Sequence, residues 1–151
     1  SSDVCSSDLG WGWTRTKNCM SGNLVHANNI HRPATRMCDT AGIYTLSCQP
    51  GTVISENSIH GIRMSPYAFN PQHWAYLYLD EGSSFITLRD NWTPEEKFLS
   101  NAVGPENVWT HNGPKVSEAI RTAAGLQLHF RDLLSELGHE GKVFEPPSNS
   151  D

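Results

Sequence analysis

The chain has 151 residues, 37% of them hydrophobic, and a formal net charge of -5. This length supports one domain with a real core, and the negative charge argues against nucleic acid as a partner. No apolar run approaches the roughly 18 residues that span a membrane, so no membrane span is predicted.

The first nine residues, SSDVCSSDL, have no turn, cap or apolar period. They match the translation of a common sequencing adapter residue for residue, so Ser1–Leu9 is interpreted as an artefact and left out of the fold prediction. An adapter marks the end of a sequencing read. The natural sequence is therefore expected to begin near Gly10, with its true N-terminus and any secretion signal missing.

Three cysteines lie outside this stretch, namely Cys19, Cys38 and Cys48. The number is odd and no C-x-x-C spacing occurs, so neither a disulfide nor a Cys/His zinc site is indicated, although both stay open as alternatives to free thiols. No metal and no cofactor is predicted.

The middle of the chain repeats itself. GNLVHANNIH at 22–31 aligns without gaps to GTVISENSIH at 51–60. A third copy, ITLRDNW, occupies 86–92, and a weaker fourth, VWTHN, occupies 108–112. Each copy is a short apolar or β-branched run followed by Asn, and the spacing between copies varies.

This repeat predicts an all-β fold, a right-handed parallel β-helix over residues 10–115. Asn28, Asn57 and Asn91 are expected to occupy one bend of successive coils, where their side chains form a hydrogen-bonded ladder. Asn112 is a weaker fourth member. The alternative is a β-sandwich with asparagines in its turns.

The C-terminal region changes character. Apolar residues recur at helical spacing in KVSEAIRTAAGLQLHFRDLLSEL, which predicts a helical cap over the last coil at 116–138. Gly125 is expected to end the first helix. The final residues, 139–151, are expected to be a disordered tail.

Two acids stand out beside strands. In 76–80, YLYLD alternates, so Leu77 and Leu79 are expected in the core, with Tyr76, Tyr78 and Asp80 pointing outward together. Asp39 precedes a predicted strand over Gly42–Leu46, separated from it by a bend. The stretch of chain between Asp39 and Asp80 is long enough to place the two aspartates on adjacent coils.

Four motifs resemble the C-terminal part of bacterial right-handed β-helix proteins related to glycoside hydrolase family 141, which includes α-L-fucosidases and xylan-degrading enzymes. The motifs are D-x-x-G-I-Y-T-L, Q-P-G-T-V-I-x-x-N-x-I-H, Y-L-D-E-G-S-S-x-I-T and A-G-L-x-x-x-F-R-D-L-L. The resemblance runs from about Asn18 to Leu137. One difference is that the family usually has Asp-Gly-Gly where this chain reads Asp-Thr-Ala-Gly.

The resemblance implies a secreted or periplasmic enzyme that cleaves glycosidic bonds in plant or host polysaccharides. It assigns Asp39 and Asp80 as the catalytic pair and implies that N-terminal coils of the same protein complete the groove. Tyr44, Tyr78 and Trp74 are candidates for stacking on sugar rings, with Glu81 as a further substrate-binding acid. A polysaccharide lyase and a non-catalytic β-helix adhesin stay open as alternatives, because the fold hosts all three.

Overall fold

A computed structural model of the chain describes residues 7–33, 36–127 and 130. Within them lie ten strands and one short helix. The strands are β1 (Ser7–Leu9), β2 (Leu24–His26), β3 (Asn29–His31), β4 (Thr40–Thr45), β5 (Cys48–Ser55), β6 (Ser58–His60), β7 (Trp74–Leu79), β8 (Ser84–Arg89), β9 (Phe98–Ser100) and β10 (Val108–Thr110). The helix, α1, spans Glu118–Ala123. The all-β prediction is confirmed at this general level.

The strands form three sheets in which every pair is parallel. Sheet A has the order β1-β4-β7-β9, sheet B has β10-β8-β5-β2, and sheet C has β3-β6. A single bridge from Ser58 to Trp92 adds a third rung to sheet C. The chain visits sheets A, B and C in this order on each pass, so every strand pairs with its counterpart from the next pass.

The register of these pairs follows the sequence repeat. Val25 pairs with Ile54, Ile54 pairs with Leu88, and Leu88 pairs with Trp109. These are the same partners that the alignment of the four repeat copies places together. The predicted alignment of the repeats is therefore confirmed, and passes of unequal length share one register.

Four asparagines stack at one corner of successive passes, and we call them the asparagine ladder: Asn28, Asn57, Asn91 and Asn112. The backbone N–H and Nδ2 of Asn28 both donate to Asn57 Oδ1 at 2.9 Å. Asn57 donates in the same way to Asn91 Oδ1 at 3.2 and 2.8 Å, and Asn91 to Asn112 Oδ1 at 3.2 and 2.8 Å. The predicted equivalence of the bends at Asn28, Asn57 and Asn91 is confirmed.

The corner has a fixed backbone geometry. The residue before each ladder asparagine lies in the left-handed region, with φ between 53° and 57°; these residues are Ala27, Glu56, Asp90 and His111. A non-glycine residue in this region costs about 1–2 kcal/mol. The ladder offsets that cost, because each interior asparagine satisfies backbone groups that the corner removes from the strands.

The core lies between the sheets and consists of apolar side chains that face inward: Ile43, Ile54, Ile59, Ile62, Tyr76, Leu77, Leu79, Ile86 and Leu88. Leu77 and Leu79 are buried as expected. The predicted outward position of Tyr76 is wrong, because this residue is 4% exposed and packs in the same core. Tyr78 and Asp80 are also buried, at 1% and 4% exposed, so the strand face predicted to be exposed is covered. A side chain at Gly42, the register neighbour of Tyr76, would overlap Ile59, so sheets A and C meet closely here and bury both faces of the strand.

The segment around α1 runs along the side of the molecule. The helix contacts β6, and the N–H of Gly125 donates to the carbonyl of Ala27 at 2.7 Å. Gly125 has a φ of 91°, and a Cβ there would lie 2.7 Å from the Cβ of Asn29. Only glycine allows this close approach, so Gly125 fixes the segment against the first pass.

Several predicted boundaries fall outside the described residues. The structure does not describe most of the second half of the predicted 116–138 cap, nor any of the predicted 139–151 tail. Both stay predictions. Ser7–Leu9 pairs in register with β4. This pairing does not test where the residues came from, so the adapter origin of 1–9 stays a prediction. In the part of the chain that the structure describes, no helix is long and apolar enough to cross a membrane.

Candidate functional site

A group of polar side chains collects where the strands of sheet A begin and end, and we call it the tyrosine–aspartate cluster: Asp39, Tyr44, His73, Tyr78, Asp80 and Asn101. The parallel register explains the grouping. Tyr44 and Tyr78 are direct partners on β4 and β7. Tyr78 packs in a small apolar cluster that is distinct from the main core, so the group lies on the other face of sheet A.

Asp80 is the buried acid of the cluster. It directly follows β7, and its side chain is held by two donors. The Tyr44 hydroxyl donates to Oδ2 at 2.5 Å, and Asn101 Nδ2 donates to Oδ1 at 2.7 Å. The residue is only 4% exposed, and charge-assisted hydrogen bonds of this kind compensate a buried carboxylate for lost water.

The two tyrosines have different hydrogen bonding. Their rings meet edge to face at 5.1 Å. The Tyr78 hydroxyl is buried and makes no hydrogen bond of normal geometry within the described residues. Burial, followed by the negative charges of Asp80 and Asp39, raises the pKa of Tyr78 and of Tyr44 above the usual 10.0. Both hydroxyls therefore stay protonated at neutral pH.

Asp39 lies on the other side of the tyrosine pair and is more accessible. It immediately precedes β4 with a left-handed φ of 51°, and its side chain is 50% exposed. His73 Nδ1 lies 3.3 Å from Asp39 Oδ1, and the His73 ring meets the Tyr78 ring at 6.3 Å. The tyrosine pair therefore connects the two acids: Asp80 accepts from Tyr44, and Asp39 contacts His73, whose ring meets the Tyr78 ring.

Two predicted site residues lie apart from this cluster. Trp74 packs against the main core, donates from Nε1 to the Pro71 carbonyl at 2.9 Å, and carries the Lys97 ammonium 4.0 Å from its ring centre. Glu81 is an exposed turn residue whose backbone carbonyl accepts from Ser47 at 3.0 Å. Neither residue contacts the cluster through any interaction seen in the described residues.

Sequence reasoning missed His73 and Asn101. The signal was present, because the spacing between the second and third rungs of the asparagine ladder also separates Asp39 from His73. The spacing between the third and fourth rungs likewise separates Asp80 from Asn101. Adding the corresponding ladder spacing to the position of each aspartate would have predicted both partners.

The cysteines and the other residues that can bind metals form no metal site in the described residues. Cys19 and Cys38 are exposed, Cys48 is buried, and all three are free thiols. Within 7–33, 36–127 and 130, no group of three or more His, Cys, Asp or Glu side chains is arranged to hold a metal ion.

Comparison with known proteins adds one solved structure, named "Glycoside hydrolase". The two chains share 58% sequence identity with a TM-score of 0.79. The match covers 83% of this chain and 21% of the other, so this chain spans only a small part of its relative's length. No family model matches the chain, and no curated protein matches it. The chain is thus similar in both sequence and fold to one part of a glycoside hydrolase.

Proposed function

We propose that this chain is part of a glycoside hydrolase of the family 141 type, in which Asp39 and Asp80 cleave glycosidic bonds in plant or host polysaccharides. The observation that carries the proposal is the placement of both acids around one pair of protonated tyrosines. The 58% identity to a glycoside hydrolase supports the same reaction class. A secreted or periplasmic location belongs to the proposal, because polysaccharides of this kind lie outside the cell.

We assign the fold as a right-handed parallel β-helix. Three parallel sheets visited in constant order, and an asparagine ladder at one corner, support a coiled stack. Parallel crossovers are right-handed in nearly all proteins, which supports the hand. In such a stack the outer face of sheet A forms one wall of a groove.

Asp80 is assigned as the ionised carboxylate. Both of its oxygens accept hydrogen bonds, one from Tyr44 and one from Asn101, an arrangement that an ionised carboxylate can satisfy because it accepts with both oxygens. In the reaction Asp80 attacks the anomeric carbon, or takes a proton from the water that does so. Tyr44 and Asn101 act as positioning residues, because they hold the carboxylate rather than touch the substrate.

Asp39 is assigned as the general acid. Its carboxyl group transfers a proton to the glycosidic oxygen while the bond from that oxygen to the anomeric carbon breaks. Its accessibility lets the group reach a leaving sugar, and His73 orients it. A separation of about 5–5.5 Å between the two carboxyl groups gives retention, and about 6.5–9.5 Å gives inversion through a water.

Tyr78 is assigned to substrate binding. Its hydroxyl is buried and makes no hydrogen bond of normal geometry within the described residues, although Asp39 and Asn101 both interact with it; a buried hydroxyl without a full hydrogen bond costs about 1–3 kcal/mol. A sugar hydroxyl bound between Asp39 and Asp80 would remove that cost. Trp74 and Glu81 remain candidates for more distant contacts to a longer glycan.

A chimera tests the assignment directly. Residues 10–127 replace the corresponding segment of the related glycoside hydrolase, and hydrolysis of that enzyme's substrate is measured. We expect an active chimera in which Asp39→Asn and Asp80→Asn each reduce kcat by about 10³-fold or more. Circular dichroism and thermal unfolding establish that each variant is folded.

Control variants distinguish the loss of a catalytic carboxyl group from the loss of a negative charge in general. Asp90→Asn removes an acid beside sheet B and is expected to leave kcat within about twofold, since changes away from the site have small effects. Glu81→Gln removes a candidate for more distant glycan contacts and is expected to change KM rather than kcat. A folded Asp39→Asn or Asp80→Asn chimera with near-native activity contradicts the catalytic pair. A large loss in Glu81→Gln would make Glu81 the acid instead.

A further inference from the structure

A cavity of about 630 Å³ lies between sheet C and the α1 segment. Its size falls within the range of small-molecule sites, about 300–1,000 Å³. Sheet C contributes Asn29, Ser58, His60 and Trp92, and the helix contributes Arg121. None of these residues belongs to the tyrosine–aspartate cluster, which lies on sheet A, and the proposed hydrolysis uses none of them.

The floor of the cavity is a column of side chains on adjacent rungs. Asn29 pairs with Ser58, and Ser58 pairs with Trp92, so an amide, a hydroxyl and an indole follow one another at the strand spacing of about 4.7–4.9 Å. Ser58 is 2% exposed and lines the cavity. His60 flanks the column and shares a hydrogen bond with Asn29 Oδ1 at 3.1 Å.

The opposite wall brings a cation to this polar floor. The Arg121 guanidinium lies 4.8 Å from the centre of the Trp92 ring, and Glu118 holds it at 2.7 Å. Burial first, and then His31 and Arg121, lower the pKa of the His60 imidazole, which favours its neutral form. A ligand here meets a planar cation, an aromatic ring and neutral hydrogen-bonding groups.

We propose that this cavity binds a carboxylate-bearing sugar, a uronate residue of a polysaccharide, at a site separate from the hydrolytic one. The guanidinium of Arg121 matches a carboxylate in a two-point hydrogen bond. Ser58 and Asn29 match the ring hydroxyls, and the edge of Trp92 offers an apolar contact to the sugar ring. The inference rests on the proposed function only in taking carbohydrate as the ligand class.

The test measures binding rather than hydrolysis and uses the 151-residue chain. Trigalacturonate is titrated by calorimetry, with the neutral galactotriose as the matched probe. We expect saturable binding of the acidic trimer and at least about tenfold weaker binding of the neutral one, since a charge-assisted hydrogen bond contributes about 1.5–3 kcal/mol. Equal binding of both trimers, or no binding of the acidic one, overturns the proposal.

Variants locate the site. Arg121→Gln is expected to weaken trigalacturonate binding about tenfold or more, and Ser58→Ala severalfold, with Lys115→Gln as the matched loss of an exposed positive charge elsewhere. Asp80→Asn is expected to leave this binding unchanged. If Asp80→Asn or Tyr78→Phe abolishes binding while Arg121→Gln does not, the acidic sugar binds at the tyrosine–aspartate cluster; the cavity proposal is then wrong and the proposed hydrolase is not.

Discussion

The asparagine ladder and the tyrosine–aspartate cluster are both built by placing side chains at equivalent positions of successive passes, yet they differ in how fully their polar atoms are paired. In the ladder each amide donates to the next oxygen and to a backbone carbonyl, as Asn57 does to Asn91 and to Val25. In the cluster Asp80 is fully held, but the Tyr78 hydroxyl is not. Asparagine can donate and accept at every rung, so the ladder pairs along its length, whereas the stacked pair Tyr44 and Tyr78 leaves one hydroxyl without a hydrogen bond of normal geometry in the described residues.

The largest effect is expected from breaking the ladder at an interior rung. Asn91→Ala removes the oxygen that accepts twice from Asn57 and the amide that donates to Ile54 and Asn112. Several buried groups lose their partners, so the free energy of unfolding should fall by about 3–5 kcal/mol. Urea denaturation followed by circular dichroism measures this fall.

The end of the ladder supplies the control for that variant. Asn28 is exposed and accepts no side-chain hydrogen bond from another rung in the described residues. Asn28→Ala should therefore cost only about 1 kcal/mol. Equal losses in Asn28→Ala and Asn91→Ala would contradict the claim that the ladder acts as a continuous column.

A smaller effect is expected from the buried acid of the cluster. Asp80→Asn replaces one of two acceptor oxygens by a donor, which then opposes either Tyr44 or Asn101. We expect a loss of about 1–2 kcal/mol in unfolding free energy, measured by the same denaturation. A loss as large as that of Asn91→Ala would show that the cluster is a structural column like the ladder.

High pH should weaken the cluster and leave the ladder intact. The pKa of Tyr44 and of Tyr78 is raised in the folded protein, first by burial and then by Asp80. The contribution of these tyrosines to the free energy of unfolding is complete below about pH 10, where tyrosines of the unfolded chain begin to ionise. It is lost as the pH rises further toward the pKa of the folded protein. Phenolate absorbance against pH, compared with the unfolding free energy, measures this; in Asp80→Asn the two tyrosines should ionise at lower pH.

The smallest effect is expected at the Tyr78 hydroxyl. Tyr78→Phe removes a buried group that makes no hydrogen bond of normal geometry in the described residues, so stability should be unchanged or rise by up to about 1 kcal/mol. In the chimera with the related glycoside hydrolase, the same change should raise KM more than it lowers kcat. A clear loss of stability would mean that this hydroxyl already has a partner in the folded chain.

The sequence predicted the register and the ladder because both depend on local repeats, in which an apolar run and a following Asn recur at spacings that can be counted. It did not predict the burial of Tyr76, since that depends on how closely Ile59 of sheet C approaches sheet A at Gly42. It also did not predict that the segment after α1 reaches back to Ala27. Both features are contacts between distant parts of the chain that no periodicity records.

The unequal passes have a consequence for how such a protein changes over time. The pass from Asn57 to Asn91 is longer than the one from Asn28 to Asn57, yet both end on the same corner. The extra length lies in the loop 61–73, which leads directly into His73 beside Asp39. Insertions in this loop leave the ladder register untouched, so natural variation or loop grafting at 61–73 can reshape the surroundings of the acid without unfolding the stack.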